Sequence, residues 1–471
     1  LIVITDDFRR PIDPETYSSG RFEDWKNLLS KINSSIIFGY GAQGDRFLIN
    51  QEGQDFSHEA KTFIKIRELA LKNLKGLDFP TKKLEDWKYT NLREISKTEF
   101  RPQTAVNIIE EKIKTHKIPN LDAYVLVFVN GFFSPKFSNT VEEKDGDFIV
   151  TNLNKAKKDF IKLVEPHLGF QTRAKDQFFV NLNSAFSQDG GFVYVKSKAV
   201  LDKPVHIINL VDGDLVASYP RNLIVAEKLA QAKVVVSYET IDSNSALSNV
   251  INEVVVAEGA NVIMDKIQNE NSNTFHIGAD FATQQKDSTF TINTVPANAK
   301  LIRNNLNIVI NGTNSVANLY GAVCLNGDIH VDNQTFVDHA KPNCESNELY
   351  KTVVNDSATS IFNGKIYVNQ IAQKTNAFQS NANILLSDDA RANSKPQLEI
   401  YADDVKCSHG CTIGQFDDEA LFYLKTRGIR EGVAQKVLLD AFIGEVLDNI
   451  EEEPVRKYVD QLIADNFNSK N

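Results

Sequence analysis

From about residue 190 to residue 415 the chain repeats one texture. Short runs such as FVYVKS, VHIINLV, NLIVAE, KVVVSYE, NEVVVAE, STFTINTV, LNIVING, KIYVNQ and QLEIYA recur, separated mostly by Asn, Asp, Gly or Ser. Branched and ring side chains fill a pleated surface, and the separators favour turns, so each run reads as a strand. Strong helical stripes are nearly absent there. This texture predicts a large all-β body. A sandwich, a barrel and a β-solenoid all satisfy it. No fixed motif aligns with itself, so periodicity alone does not select the solenoid, although degenerate coils would look like this.

The flanks read differently. Phe22, Trp25, Leu28, Leu29 and Ile32 have helical spacing. Ser57 is a candidate N-cap for a stripe of Phe63, Ile66, Leu69, Ala70, Leu74 and Leu77, which Gly76 and Pro80 end. Ala123–Phe133 reads as a strand broken at Asn130-Gly131, and residues 153–188 as mixed helix. Beyond the β region, Asp417 or Asp418 caps a helix running through Arg427, with Gly428 at its C′ position. Glu431–Ile450 is a second helix, and Pro454 opens a third.

Composition narrows function. Lys plus Arg number 52 and Asp plus Glu 62, giving a formal charge of −10. Phosphate neutralisation dominates polyanion affinity, so nucleic acid is a poor partner for this chain. With 42% hydrophobic residues, disorder over the whole chain is excluded. No run reaches the roughly 18 apolar residues of a spanning helix, so no membrane partner is expected. The first residues meet Asp6 and Asp7 at once and do not read as a signal peptide. Four cysteines, all in the last third, are too few for a disulfide framework and fit a reducing compartment.

Gly39-Tyr-Gly41-Ala-Gln-Gly44 matches the dinucleotide fingerprint, but no amphipathic helix follows it, so a flexible glycine loop is the expectation. Phosphate-loop, zincin and nucleophile-elbow motifs are absent, so ATP-driven work would need a site on another chain. Cys407-Ser-His409-Gly-Cys411 is the densest soft-ligand cluster, suited to zinc, copper or iron–sulfur chemistry. Lys406 is expected to lower the neighbouring thiol pKa. Cys324, His330, His339 and Cys344 would complete a ligand set only if the fold brings them near. The bland alternative is that free Cys packs as a small hydrophobe. Glu345 and Glu348 sit in a polar stretch that reads as a turn between strands. Trp87 and Tyr89 read as packing residues. The broad apolar stripe of the C-terminal helices serves an internal core or a docked partner equally well.

Longer motifs carry a family resemblance. Phe79-Pro-Thr-Lys-Lys83 followed by Glu85-Asp-Trp-Lys-Tyr-Thr90 resembles the N-terminal signature of the SufB/SufD family, on its SufD side. HVDNQTFVDHAKPNCESNELYK (330–351), Phe362–Gln415 and DDEALFYLKTRGI (417–429) are similar to its core signatures. The resemblance runs from about residue 58 to the C-terminus. It implies a mainly β protein with flanking α: a right-handed parallel β-helix core with N- and C-terminal helical domains. The corresponding divisions are a poorly matched extension (1–57), a mostly helical domain (58–150), the β-helix core (151–415, with a helical entry to about 188) and a C-terminal helical domain (416–471).

The resemblance also implies a non-catalytic scaffold of the SUF iron–sulfur assembly system. Such a chain pairs with a SufB-like subunit through the solenoid end and docks a SufC-like ABC ATPase on its C-terminal helices. Asp417, Phe422, Tyr423, Val437 and Phe442 are the docking candidates. His409, with Cys407 beside it, falls at the cluster-assembly interface, and Cys411 is an additional thiol there. Iron or an Fe–S cluster would be transient and shared with SufB, and this chain would bind no nucleotide. The compartment implied is the cytoplasm, or a plastid in a eukaryote. Two alternatives stand beside this: a standalone thiol- or metal-dependent enzyme using Cys407, His409 and Cys411, and a β-solenoid surface or carbohydrate-binding protein.

Overall fold

The computed structural model describes residues 59–102, 110–142, 146–169, 177–415 and 417–468, together with the backbone of 5–6, 10–11, 35–40 and 46–50. Phe22–Ile32 and Ser57 lie outside these residues. Ser35–Tyr40 pairs antiparallel with Arg46–Asn50. The glycine motif therefore leads from strand to strand, and the strand-to-helix context of a dinucleotide site is missing.

Two stacked ladders of parallel strands form a β-solenoid of about eight turns. The chain alternates between them, contributing one strand to each sheet per turn. In the ten-stranded sheet Gln231, Asn261, Thr289, Val316, Glu345, Asn376 and Lys406 stand in one column, 27 to 31 residues apart. That varying coil length explains why the sequence does not align with itself. Tyr124–Val129 also joins this sheet, parallel to Val205–Asp212, so the β body recruits a strand from before residue 151.

The separators have a stereochemical reason. At one corner of successive coils Leu229, Gly259, Asp287, Asn314, Asn343 and Lys374 all take positive φ, between 58° and 67°. Asn and Asp tolerate this left-handed conformation better than other side chains, and Gly does so freely. Asn130 (φ 52°) and Gly131 (φ 83°) make the expected tight turn between Tyr124–Val129 and Phe132–Phe133.

The interior is mostly aliphatic: Val234, Val236, Met264, Ile292, Ile308, Leu319, Val323 and Val337 are all buried in one cluster. It also encloses a polar ladder. Asn222 Nδ2 donates to Asn252 Oδ1 at 2.7 Å, Asn252 Nδ2 donates to Asp280 Oδ1 at 2.6 Å, and Lys266 pairs with Asp280. Each amide satisfies the next coil, as burial demands.

Helices cover both outer faces. Helix α1 (Lys61–Leu74) and α2 (Phe178–Phe186) pack with Phe79, Leu92 and Ile95 against Leu247, Phe275 and Ile277 of the twelve-stranded sheet. Ala60, without a side-chain cap bond, occupies the N-cap of α1, a correction to the expected Ser57. On the ten-stranded sheet, Val235, Ile267, Val295 and Val353 meet Ile443, Val446, Leu447, Val455 and Val459. These belong to the C-terminal region of α3 (Asp418–Thr426), α4 (Glu431–Leu447) and α5 (Glu453–Asn468). Asp417 caps α3 by accepting from Glu419 N at 3.0 Å and Ala420 N at 3.1 Å, and Gly428 (φ 85°) follows its end. No helix among the described residues is long and apolar enough to cross a membrane.

Candidate functional site

The last strand, Lys406–Gly414, pairs parallel with Asn376–Leu385 on one edge. Its other edge has no partner among the described residues. Alternate residues of a strand share a face. Cys407, His409, Cys411 and Ile413 therefore fall in the columns of Ala377, Gln379, Asn381 and Asn383, all four of them buried. They occupy the core-facing side of the strand, yet no coil among the described residues closes over it. Cys407 is half-buried, while His409 and Cys411 are exposed. Two thiols and one imidazole thus line up at the open end of the solenoid, successive ones about 6.6 Å apart along the strand.

Burial raises the Cys407 thiol pKa, and the Ala377 backbone hydrogen bond offsets this only in part. The expected lowering by Lys406 does not occur, because adjacent residues of a strand point to opposite faces. Cys407 is therefore held in its protonated thiol form.

The other sequence candidates lie elsewhere. Cys324 is buried under α4 and α5, its thiol pushed up to about 12 by burial. Cys344 lies inside the solenoid and donates to Gly312 O at 3.1 Å. His339 is buried beside Ser346 Oγ at 2.9 Å, and burial holds its pKa down to about 4. Among the described residues no three His, Cys, Asp or Glu side chains converge as a metal-holding group. Glu345 is exposed, whereas Glu348 is wholly buried, its carboxyl pushed up to about 7 by burial.

Sequence reasoning missed a densely bonded, largely buried contact. The segment containing Asp86, Trp87 and Thr90 is a strap across the twelve-stranded sheet. The Arg303 guanidinium lies 4.3 Å over the Trp87 ring, donates to Asp86 O at 2.7 Å and pairs with Asp332 at 2.5 Å. Thr90 bonds Asp332 and lies 3.0 Å from His330 Nε2. Lys395, in the last coil, pairs with Glu85 at 2.6 Å. The one available signal was the charge and aromatic density of Glu85–Thr90. Its partners are more than 200 residues away.

The docking candidates divide. Phe422 (69% exposed), Tyr423 (56%) and Val437 (46%) present apolar surface, joined by Val433 at 53%. Asp417 is occupied as a helix cap. Phe442 packs inward, with the Lys351 ammonium 4.7 Å from its ring.

A parallel β-solenoid clothed by helices, with a row of soft donors on its final strand, defines the class of protein by its fold. Comparison with known proteins gives the family. Residues 208–442 match the SUF system FeS cluster assembly SufBD core domain, and residues 48–207 match the SufBD protein N-terminal region. An iron-sulfur cluster assembly SufBD family protein of Synechocystis is 33% identical, over 83% of this chain and 88% of that protein. The iron-sulfur cluster assembly protein SufD of Escherichia coli is 30% identical, over 83% of this chain and 89% of its own. The chloroplastic protein ABCI7 of Arabidopsis thaliana is 26% identical, over 83% of each. The chain belongs to the SufB/SufD family of the SUF iron–sulfur cluster assembly system.

Proposed function

We propose that this chain is a SufD-type scaffold that builds iron–sulfur clusters jointly with a SufB-like subunit, driven by a SufC-like ATPase docked on α3 and α4. The observation that carries the reading is the terminal strand. It presents Cys407, His409 and Cys411 in a row beside an open sheet edge, which a second solenoid end can extend by main-chain hydrogen bonding. A row of donors on one strand leaves the remaining ligand positions to the partner chain, and a cluster or iron ion held there is cargo. Thiolate and imidazole are suited to iron in both forms. Exposed Phe422, Tyr423 and Val437 supply an apolar anchor of the kind that dominates protein interfaces. ATP binding moves the interface only in so far as the ATPase binds its two arrangements unequally. The cytoplasm or a plastid is the matching compartment.

The test is anaerobic co-purification of the full chain with the SufB-like and SufC-like proteins of the same source, followed by cluster reconstitution. Cys407→Ser and His409→Ala should retain the complex and lose at least tenfold in iron retained. A chain that purifies alone and holds its own metal through Cys411 would move the reading to a standalone thiol- or metal-dependent enzyme.

A further inference from the structure

Directly beneath His409 in the solenoid column stands Gln379, and beneath Gln379 stands Glu348. Both lie inside the core, with Gln379 and Glu348 each 3% exposed. Gln379 Nε2 donates to Glu348 Oε2 at 2.6 Å. That bond uses the amide nitrogen. Gln379 Oε1 is then a buried acceptor with no hydrogen-bond partner among the described residues, His409 included. An unpaired buried carbonyl is costly, on the order of 1–3 kcal/mol, so its persistence calls for a reason.

The surroundings are shaped to keep this pair. Gly364 lies across the core, and a Cβ there would come within 2.1 Å of Gln379 Nε2 and 2.8 Å of the Phe362 ring. Only glycine leaves room for the amide. The exposed His409 stands one coil on in the same column, and neighbouring strands are about 4.8 Å apart, so its ring is the imidazole donor of the next coil that can turn toward Gln379 Oε1. A ligating histidine usually gives its second N–H to a carbonyl or carboxylate, which fixes the tautomer and strengthens the other nitrogen as a ligand.

We propose that Glu348 and Gln379 are a buried positioning pair for His409: Glu348 turns the Gln379 amide, and the Gln379 carbonyl accepts from the His409 ring, which presents its other nitrogen at the open end. The pair deepens the assembly reading above and rests on it for its purpose, though not for its geometry.

The test uses the full chain labelled with 15N-histidine, with the His409 resonances assigned by their loss in His409→Asn. In the wild type one ring nitrogen is protonated and the other bare. Gln379→Leu and Glu348→Leu should both release the ring into a mixture of tautomers. Glu348→Gln keeps an acceptor for Gln379 Nε2 and should retain the single tautomer. In the complex reconstituted with the SufB-like and SufC-like subunits, Gln379→Leu should weaken ferrous-ion binding about tenfold. A mixed tautomer in the wild type, or a single one in either leucine variant, overturns the proposal. Should one leucine variant not fold, the other decides. Intact cluster assembly in His409→Ala would instead sink the assembly reading, and the tautomer result would still decide the pair.

Discussion

Glu348 makes a quantitative prediction about stability. It is wholly buried, and burial is the largest influence on it, raising its carboxyl from 4.5 to about 7. At about 1.4 kcal/mol for each tenfold in proton affinity, that difference is worth on the order of 3 kcal/mol. The sign follows from which state holds the proton. Below about pH 4.5 both the folded and unfolded chains carry it, and the carboxyl costs nothing. Between about 4.5 and 7 the folded chain binds a proton that the unfolded chain releases, so stability falls as pH rises. Above 7 the folded chain buries a charge, and the full cost is present. Glu348→Gln removes the titration and keeps the hydrogen bond to Gln379. Asp189 and Asp265, raised by burial to about 6 and about 7, titrate in the same sense, so the informative quantity is variant minus wild type. For a chain of this size 3 kcal/mol corresponds to a melting shift of about 3 °C. Calorimetry at pH 5 and pH 8 should show the advantage of Glu348→Gln growing by about that amount at the higher pH. An advantage that is equal at both pH values, or larger at pH 5, would refute the reasoning.

Three further outcomes are expected. Arg303→Met leaves Asp332 buried without its cation, a loss of about 3–5 kcal/mol at that contact. Limited trypsin digestion should then cut at Lys82, Lys83 and Lys88 well before the solenoid, and an unchanged cleavage rate would argue against the strap. Gly321→Ala sets a Cβ 2.1 Å from the Tyr350 ring and should cost about 1–3 kcal/mol in urea unfolding. Phe422→Asp combined with Val437→Asp changes exposed residues and should move stability by no more than about 0.5 kcal/mol, yet abolish co-purification of the ATPase. A retained ATPase would place its docking surface elsewhere.

The parts legible in the sequence are those fixed by nearby residues. Asp417 and Gly428 bracket α3 because a cap and a left-handed exit act within a few positions. Asn130-Gly131 announced its turn for the same reason. The alternation of Cys407, His409 and Cys411 needed only the strand period, although their common core-facing side depended on knowing the column beneath them. The solenoid was not legible from periodicity. Its register joins residues 27 to 31 positions apart with no constant interval, and the family motifs had to supply it. The Arg303–Trp87 contact and the Glu348–Gln379 pair depend wholly on that register. No local signal marks Glu348 as buried and Glu345 as exposed, since both sit in one polar run.

The edge of Lys406–Gly414 that lacks a partner among the described residues has a consequence for how the protein is made. Each coil of a solenoid is a template for the next, and among the described residues the nine of this last strand template no further coil. Exposed edges of that kind recruit whatever strand is at hand, including those of identical chains. On the proposed pairing, a cell that produced this chain in excess over a SufB-like partner would accumulate molecules prone to edge-to-edge association. Balanced synthesis of the two chains, and rapid removal of the surplus, are on that pairing demands placed on the cell by a single unfinished ladder of hydrogen bonds.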